Sequence, residues 1–360
     1  MLIFYFCSGS WSLDYLYGII FATHGLEVVE LLPLPDQSGV QMLWRNPEGF
    51  KPKSGEYVKI QLPWLTHGGQ QWHPFSIYLR ESTELGLNSV QEILPLSRLG
   101  GSKRLSVDEE VGDINQDELS LEDFVHLVLT SDFENKAIDA PSSLFVAEAR
   151  QDLTDRFETT QVFICPVGDW TKGMMKDIQE QKHFCACWVR GPYTSPYSIA
   201  QEFSHLILTA SGIGITPALG VMGQYPGFSR TKILVWTTTR DKNMLKFFAP
   251  LIKDAHLAVI FYTGKDKLSQ GEEDGIRSNG GNMFILQSRP KSFPETIGSI
   301  IVQFENHLNV SSAASIDDID DRNKASWCVL YCGGSLRIKN DLKEYSKKNY
   351  VGFQCELFDW

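Results

Sequence analysis

Three stretches combine residue types and spacings that chemistry could use. "TASGIGITP", Thr209 to Pro217, follows an apolar run and opens a helical one. Gly212 and Gly214, on either side of Ile213, permit a tight turn and a close backbone approach to a pyrophosphate. The helix start at Thr216 then offers unpaired amides and a partial positive charge to it. Pro217 suits a first turn, where its missing N–H has no intrahelical partner. It stands where the usual dinucleotide fingerprint has a third glycine, which points to a different branch of nucleotide binders. The next apolar run ends in "VWTTTRD". An NAD-preferring site would place an acid there. Thr237, Thr238, Thr239 and Arg240 suit a 2′-phosphate instead, and one charge-assisted bond of about 1.5–3 kcal/mol gives NADPH a preference of about 10- to 100-fold. A surface arginine paired with Asp241 is the alternative. The third stretch, "QQWHPFSIYL", sets His73, Pro74, Phe75 and Ser76 side by side in a run that otherwise reads as a strand.

Elements of two kinds must position these residues. From Leu26 to Leu79, "LEVVELLPL", "VQMLWR", "YVKIQL" and "FSIYL" read as short strands between Pro, Gly and Asp punctuation. "TTQVFICPV" and "HFCACWV" continue that texture, with "DWTKGMMKDIQEQ" between them as a short helix. Together they make about six antiparallel strands, enough for a small closed barrel. After Ser204 the texture becomes strand, glycine turn, helix, strand, which predicts a parallel sheet covered by helices. The chain therefore divides into an antiparallel barrel domain, 26–200, and an α/β domain, 201–360. An acidic insertion at about 80–157 has too little apolar content for a core and carries one short helix around Leu121 to Leu129. Polar loops follow at about 265–281 and 311–323.

Composition bounds the function. A length of 360 residues suits two domains, and 42% hydrophobic residues exclude disorder of the whole chain. Thirty-three basic against 44 acidic side chains give a charge of −11, with no basic stripe to hold nucleic acid. Seven cysteines without C-x-x-C spacing argue against a disulfide framework or a zinc site, and no metal ligands are assigned. The N-terminal "MLIFYFCSGSWSLDYLYGIIF" is apolar but interrupted by serines and Asp14. Residues 1–25 read as the stub of a membrane helix, or as a buried or interfacial segment, and not as a signal peptide.

Six motifs in one order carry a resemblance: "HPFS" at His73–Ser76, "VGDWT" at Val167–Thr171, "GPY" at Gly191–Tyr193, "SGIGITP" at Ser211–Pro217, "WTTTR" at Trp236–Arg240 and "YCGG" at Tyr331–Gly334. The chain resembles the dehydrogenase half of the transmembrane ferric reductase and NADPH oxidase family, built on the ferredoxin–NADP reductase plan. The likeness covers about Leu26–Leu79 and Thr159–Trp360. It implies an FAD-binding barrel followed by an NADPH-binding domain, with hydride passing from NADPH to FAD. It also implies that Phe75 packs on the flavin, Ser76 lies near its reactive nitrogen, and His73 contacts the phosphate-ribose part, with Pro74 in the same FAD-holding segment stiffening the approach. Gly168, Trp170 and Thr171 would close over the FAD pyrophosphate. Gly191, Pro192 and Tyr193 would border both cofactors, and Cys332 with Gly333 would sit beside the nicotinamide. Trp360 would cover the flavin until nicotinamide displaces it; a hydrophobic end tucked into a core is the alternative. Arg289, in "SRP", would be a second 2′-phosphate contact. Thr194 follows "GPY" where the family commonly has glycine, and "CGGS" lacks the family's proline.

In that family FAD hands single electrons to paired haems on membrane helices. None of the eight histidines here pair at that spacing, so haem belongs to a missing membrane half or to a partner. The resemblance implies an electron acceptor that is a membrane haem domain, a cytochrome or a ferric chelate. It places the chain at the cytosolic face of a membrane, itself soluble or peripherally attached. A soluble flavin reductase serving a cytochrome or ferredoxin is the first alternative. A non-catalytic relic that binds nucleotide as a sensor or scaffold is the second.

Overall fold

The computed structural model of the protein describes residues 22–65, 68–80, 121, 123, 125, 159–179, 184–224, 231–238, 242–252, 254–312 and 327–356. Seven antiparallel strands build the first domain: β1 (Thr23–Pro33), β2 (Val40–Arg45), β3 (Glu56–Gln61), β4 (His73–Ser76), β5 (Tyr78–Arg80), β6 (Thr159–Ile164) and β7 (Phe184–Thr194). Their order is β4-β3-β7-β1-β2-β6-β5. The sequence predicts six strands because "FSIYL" reads as one. The backbone breaks it at Ile77, whose N–H turns aside to the carbonyl of Glu56. β4 therefore pairs with β3 at one edge of the sheet and β5 with β6 at the other. One continuous segment thus joins both edges, and the sheet nearly closes into a barrel. Helix α1 (Asp169–Gln179) caps it, and Trp170, Met174 and Ile178 of that helix complete its core.

The second domain is a six-stranded sheet of order β11-β10-β9-β8-β12-β13, parallel throughout. Its strands are β8 (His205–Ser211), β9 (Thr231–Thr238), β10 (Leu257–Tyr262), β11 (Met283–Leu286), β12 (Trp327–Cys332) and β13 (Gly352–Glu356). Helices α2 (Ile215–Gln224), α3 (Lys242–Phe248), α4 (Gln270–Gly280), α5 (Phe293–Ser312) and α6 (Leu336–Asn349) connect them. Such strands are buried on both faces, which is why β8, β9, β10 and β12 read as near-continuous apolar runs. Alternate residues feed two cores: Leu206, Leu208, Leu234 and Trp236 lie on the α2 side. Ile207, Ile233, Val235 and Val329 face α5 and α6.

Two expectations need correction. The polar stretch 265–281 is not only a loop, because α4 occupies most of it. Its start is held by a capping box in which Ser269 accepts from the Glu272 N–H and the Glu272 carboxylate accepts from the Ser269 N–H. The acidic insertion does contribute to a core. Leu121, Asp123 and Val125 are helical, and the Val125 side chain is wholly buried among Ile207, Phe304 and Trp327 on the far face of the parallel sheet. At Leu121 and Val125 the insertion packs on the neighbouring domain. α5 extends to Ser312, inside the stretch 311–323; the rest of that stretch, residues 1–21 and Trp360 lie outside the described residues.

The two domains share apolar side chains. Leu34 and Phe163 of the barrel belong to the same buried cluster as Trp236 and Phe248. Phe163 meets Phe248 edge to face at 5.1 Å. Gly220 of α2 lies so near the barrel that a Cβ there would stand 3.0 Å from the Ile77 carbonyl oxygen.

Candidate active site

The carboxyl ends of β8 and β12 face the gap between β4 and β6, and the space between them is a small cleft, about 80 Å3, open to solvent. Crevices outside the carboxyl ends of parallel strands are where such sheets bind ligands. The barrel contributes Pro74, Phe75 and Ser76. The parallel sheet contributes Ile213, Gly214, Thr216, Pro217, Cys332 and Gly333. Residues separated by more than 250 positions therefore meet, as the sequence reading expects of them.

Local reasons place each group. β8 ends at Ser211, and Gly212 takes φ +56°, a left-handed conformation that glycine adopts without strain. The chain makes one 3-10 turn, Gly212–Gly214, and enters α2 at Ile215. Thr216 Oγ1 donates to the Ile213 carbonyl at 2.9 Å, and Trp236 Nε1 donates to the Gly212 carbonyl at 2.9 Å. The turn passes so close to β12 that the Cβ position of Gly214 meets the Cys332 carbonyl. α2 therefore points its amino end, with its unpaired amides, at the cleft.

On the barrel side His73, Phe75 and Trp170 form an aromatic stack. The His73 and Trp170 ring centroids are 4.4 Å apart, and those of Phe75 and Trp170 are 5.9 Å apart at 29°. Burial lowers the His73 pKa from its ordinary value, which favours the neutral ring. The Trp170 Nε1 is buried with no partner among the described residues. Of the three rings only Phe75 lines the cleft; Trp170 packs in the barrel core. Gly168 and Thr171 bond to one another: the Gly168 N–H donates to Thr171 Oγ1 at 3.1 Å, and that hydroxyl donates to the Gly168 carbonyl at 2.9 Å. They set the start of α1 rather than line the cleft.

The most informative polar contact was not foreseen. Ser76 Oγ donates to the carboxylate of Glu356, at the end of β13, over 3.4 Å. Glu356 is 5% exposed, and desolvation pushes its pKa up to about 7 against the Ser76 bond, which lowers it. The same carboxylate raises the pKa of Cys332, already lifted well above its ordinary value by burial. Tyr57 is shifted upward too, by burial first and by Glu356 next, and Tyr197 by burial first, then by Cys332 and Glu356. Ser76, Cys332 and Glu356 thus form a buried cluster beside the cleft that holds or releases one proton near neutral pH. The thiol stays protonated.

Some predicted site residues lie elsewhere. Gly191 and Pro192 are joined by a cis peptide, and Tyr193 stacks on Tyr57 at 5.3 Å, one ring removed from Ser76 and off the cleft wall. Arg289 is exposed beyond β11 and does not line the cleft. Thr238 ends β9 with its backbone paired to Tyr262. Arg240, Thr239 and Trp360 lie outside the described residues. Among the described residues no helix is long and apolar enough to cross a membrane.

These walls fit FAD and a nicotinamide dinucleotide: Pro74 and the flat ring of Phe75 on one side, and a glycine turn with a helix amino end on the other. No protein-family model matches the chain. Putative respiratory burst oxidase homolog protein J of Arabidopsis thaliana is 25% identical over 179 residues, which is 49% of this chain and 15% of that protein. The chain therefore covers a small part of the length of this curated relative. Among solved structures, flavohemoglobin from Malassezia yamatoensis, with bound FAD and heme, superposes with a TM-score of 0.46 at 13% identity, over 96% of this chain and 63% of that one. Ferredoxin-NADP+ reductase from Plasmodium falciparum gives a TM-score of 0.40 at 12% identity, over 93% of this chain and 96% of that one. By sequence the chain is a weak relative of a plant respiratory burst oxidase, resembling the dehydrogenase half of the ferric reductase and NADPH oxidase family, and its barrel followed by a parallel sheet is the two-domain, ferredoxin–NADP reductase-like fold.

Proposed function

We propose that the chain is an NADPH-dependent FAD oxidoreductase, taking hydride in the cleft and passing single electrons to an acceptor outside it. The observation that carries this reading is the meeting, across one cleft, of the glycine turn at Gly212–Gly214 with the barrel strand His73–Ser76. Bound FAD would supply the chemistry of a hydride acceptor that can release electrons one at a time. The protein's part is to bind, orient and manage a proton. The turn and the first turn of α2 hold the dinucleotide pyrophosphate. Pro74 and Phe75 set one wall for the flavin ring, and Ser76, backed by Glu356, holds a proton within reach of it.

The preference for NADPH rests on Thr238, the last residue of β9, on Arg240 two positions later in the sequence, and on the exposed Arg289 after β11. An acceptor of the haem or ferric-chelate kind, on the cytosolic side of a membrane, is proposed from the motif resemblance; the similar plant protein is named only as an oxidase. Titrating the FAD-loaded chain with NADPH under anaerobic conditions is expected to bleach the flavin absorbance stoichiometrically, with NADH at least about 10-fold weaker. Adding ferric chelate or oxygen to the reduced protein then separates the two acceptor classes. FAD that binds but never bleaches would instead identify a nucleotide-binding relic.

A further inference from the structure

We infer that Trp236 is a positioning residue for the dinucleotide, fixing the peptide of the glycine turn so that its N–H and not its carbonyl meets the phosphates. The inference rests on the reading of the cleft as a dinucleotide site. Trp236 lies near the end of β9, wholly buried beneath the turn, with its ring edge to face against Phe248 at 6.0 Å. Its only polar atom, Nε1, donates to the carbonyl of Gly212 at 2.9 Å. A trans peptide directs its C=O and its N–H in opposite senses. Drawing the Gly212 carbonyl inward therefore sends the N–H of Ile213 outward, toward the cleft that Ile213 itself lines.

The device is needed at this position because of what Gly212 is. Its φ of +56° and its lack of a side chain leave the backbone at this residue with wide conformational freedom, so the orientation of its peptide depends on the donors that hold the carbonyl. A flipped peptide would present a carbonyl dipole to an anion. The Gly212 carbonyl also accepts from the Ile215 N–H, and Thr216 Oγ1 holds the next carbonyl along, that of Ile213. Both carbonyls of the turn are thus tied away from the ligand, the first from below by an indole and the second from the helix side by a hydroxyl. Trp236 touches neither nicotinamide nor flavin in this arrangement, so its effect falls on affinity and not on the rate of hydride transfer.

Two variants of the full FAD-loaded chain test this. Trp236→Phe removes the donor and some volume. Incorporating benzothienylalanine at position 236, with sulfur in place of N–H, removes the donor alone and keeps the ring's shape. Calorimetric titration with NADP+ is expected to give a Kd raised about 3- to 10-fold in the isosteric variant, with KM for NADPH raised in parallel and kcat within about 2-fold of wild type. FAD content and melting temperature of that variant should match wild type. An unchanged Kd for the isostere overturns the inference, as does a loss that falls on kcat alone. Failure of the unaltered protein to bind NADP+ would overturn the functional reading along with it, so the two failures are distinguishable.

Discussion

Replacing Gly214 with alanine is expected to lower the melting temperature by about 5–10 °C and to weaken NADP+ binding more than 10-fold. The added methyl group would press on the Cys332 carbonyl oxygen, 2.7 Å from its carbon and 3.1 Å from the Gly333 nitrogen. All three atoms are backbone, so no side chain can swing aside. Overpacking of this kind costs about 1–3 kcal/mol or more, and here the relief would come from moving the turn away from β12. That movement displaces the turn and the Cys332–Gly333 corner, both of which line the cleft, together. Gly212→Ala makes the comparison: its Cβ position is open, so the cost is confined to the left-handed backbone, about 1–2 kcal/mol. Calorimetric melts of the two variants decide the matter. A Gly214→Ala protein as stable as wild type would mean that the turn does not pack on β12 as described.

The second large effect concerns pH. Glu356 has a pKa of about 7 in the folded protein and 4.5 as its ordinary value, so between those limits the folded state holds a proton that the unfolded state has lost. Stability must then fall as pH rises through that window. The difference of about 2.5 units corresponds to about 3 kcal/mol, present below pH 4.5 and gone above pH 7. The groups facing Glu356 are Ser76, Tyr57, Tyr197 and Cys332, none of them cationic, so no opposing charge offsets the penalty. Glu356→Gln keeps the shape and removes the titration. Its stability relative to wild type, from urea melts, is expected to climb by about 3 kcal/mol from pH 4.5 to pH 7.5. A difference that stays flat across this range would place the carboxyl in water rather than in the core.

Much of the architecture could be read from residue order. The apolar runs of β8, β9, β10 and β12, each bounded by a glycine or polar turn, announce a sheet buried on both faces. Residues of "HPFS" and "SGIGITP" line one cleft. What escaped reading has physical causes. Glu356 is a lone acid in a short final strand, and its burial depends on Ser76, 280 residues away. α4 carries a clear Ser-x-x-Glu capping signal, but its amphipathic face is thin, with Ile276 its buried apolar side chain. Val125 sits in an acidic stretch whose average composition conceals one side chain that enters a core. "GPY" kept its strand position, yet its tyrosine turns to Tyr57 instead of the cleft, a choice made by packing and invisible in the motif.

The phenylalanines at the junction of the two lobes have a consequence for how such a protein can be divided. Phe163 of the barrel and Phe248 of the nucleotide lobe fill one continuous interior, and Val125 reaches the far side of the sheet from an insertion rooted in the barrel. Neither lobe is a transferable module. A barrel expressed alone would bare Phe163 and Leu34 to water, and a lone nucleotide lobe would lose a piece of its own interior that the other half encodes. The width of the cleft between the lobes is accordingly tied to an interior that both halves build.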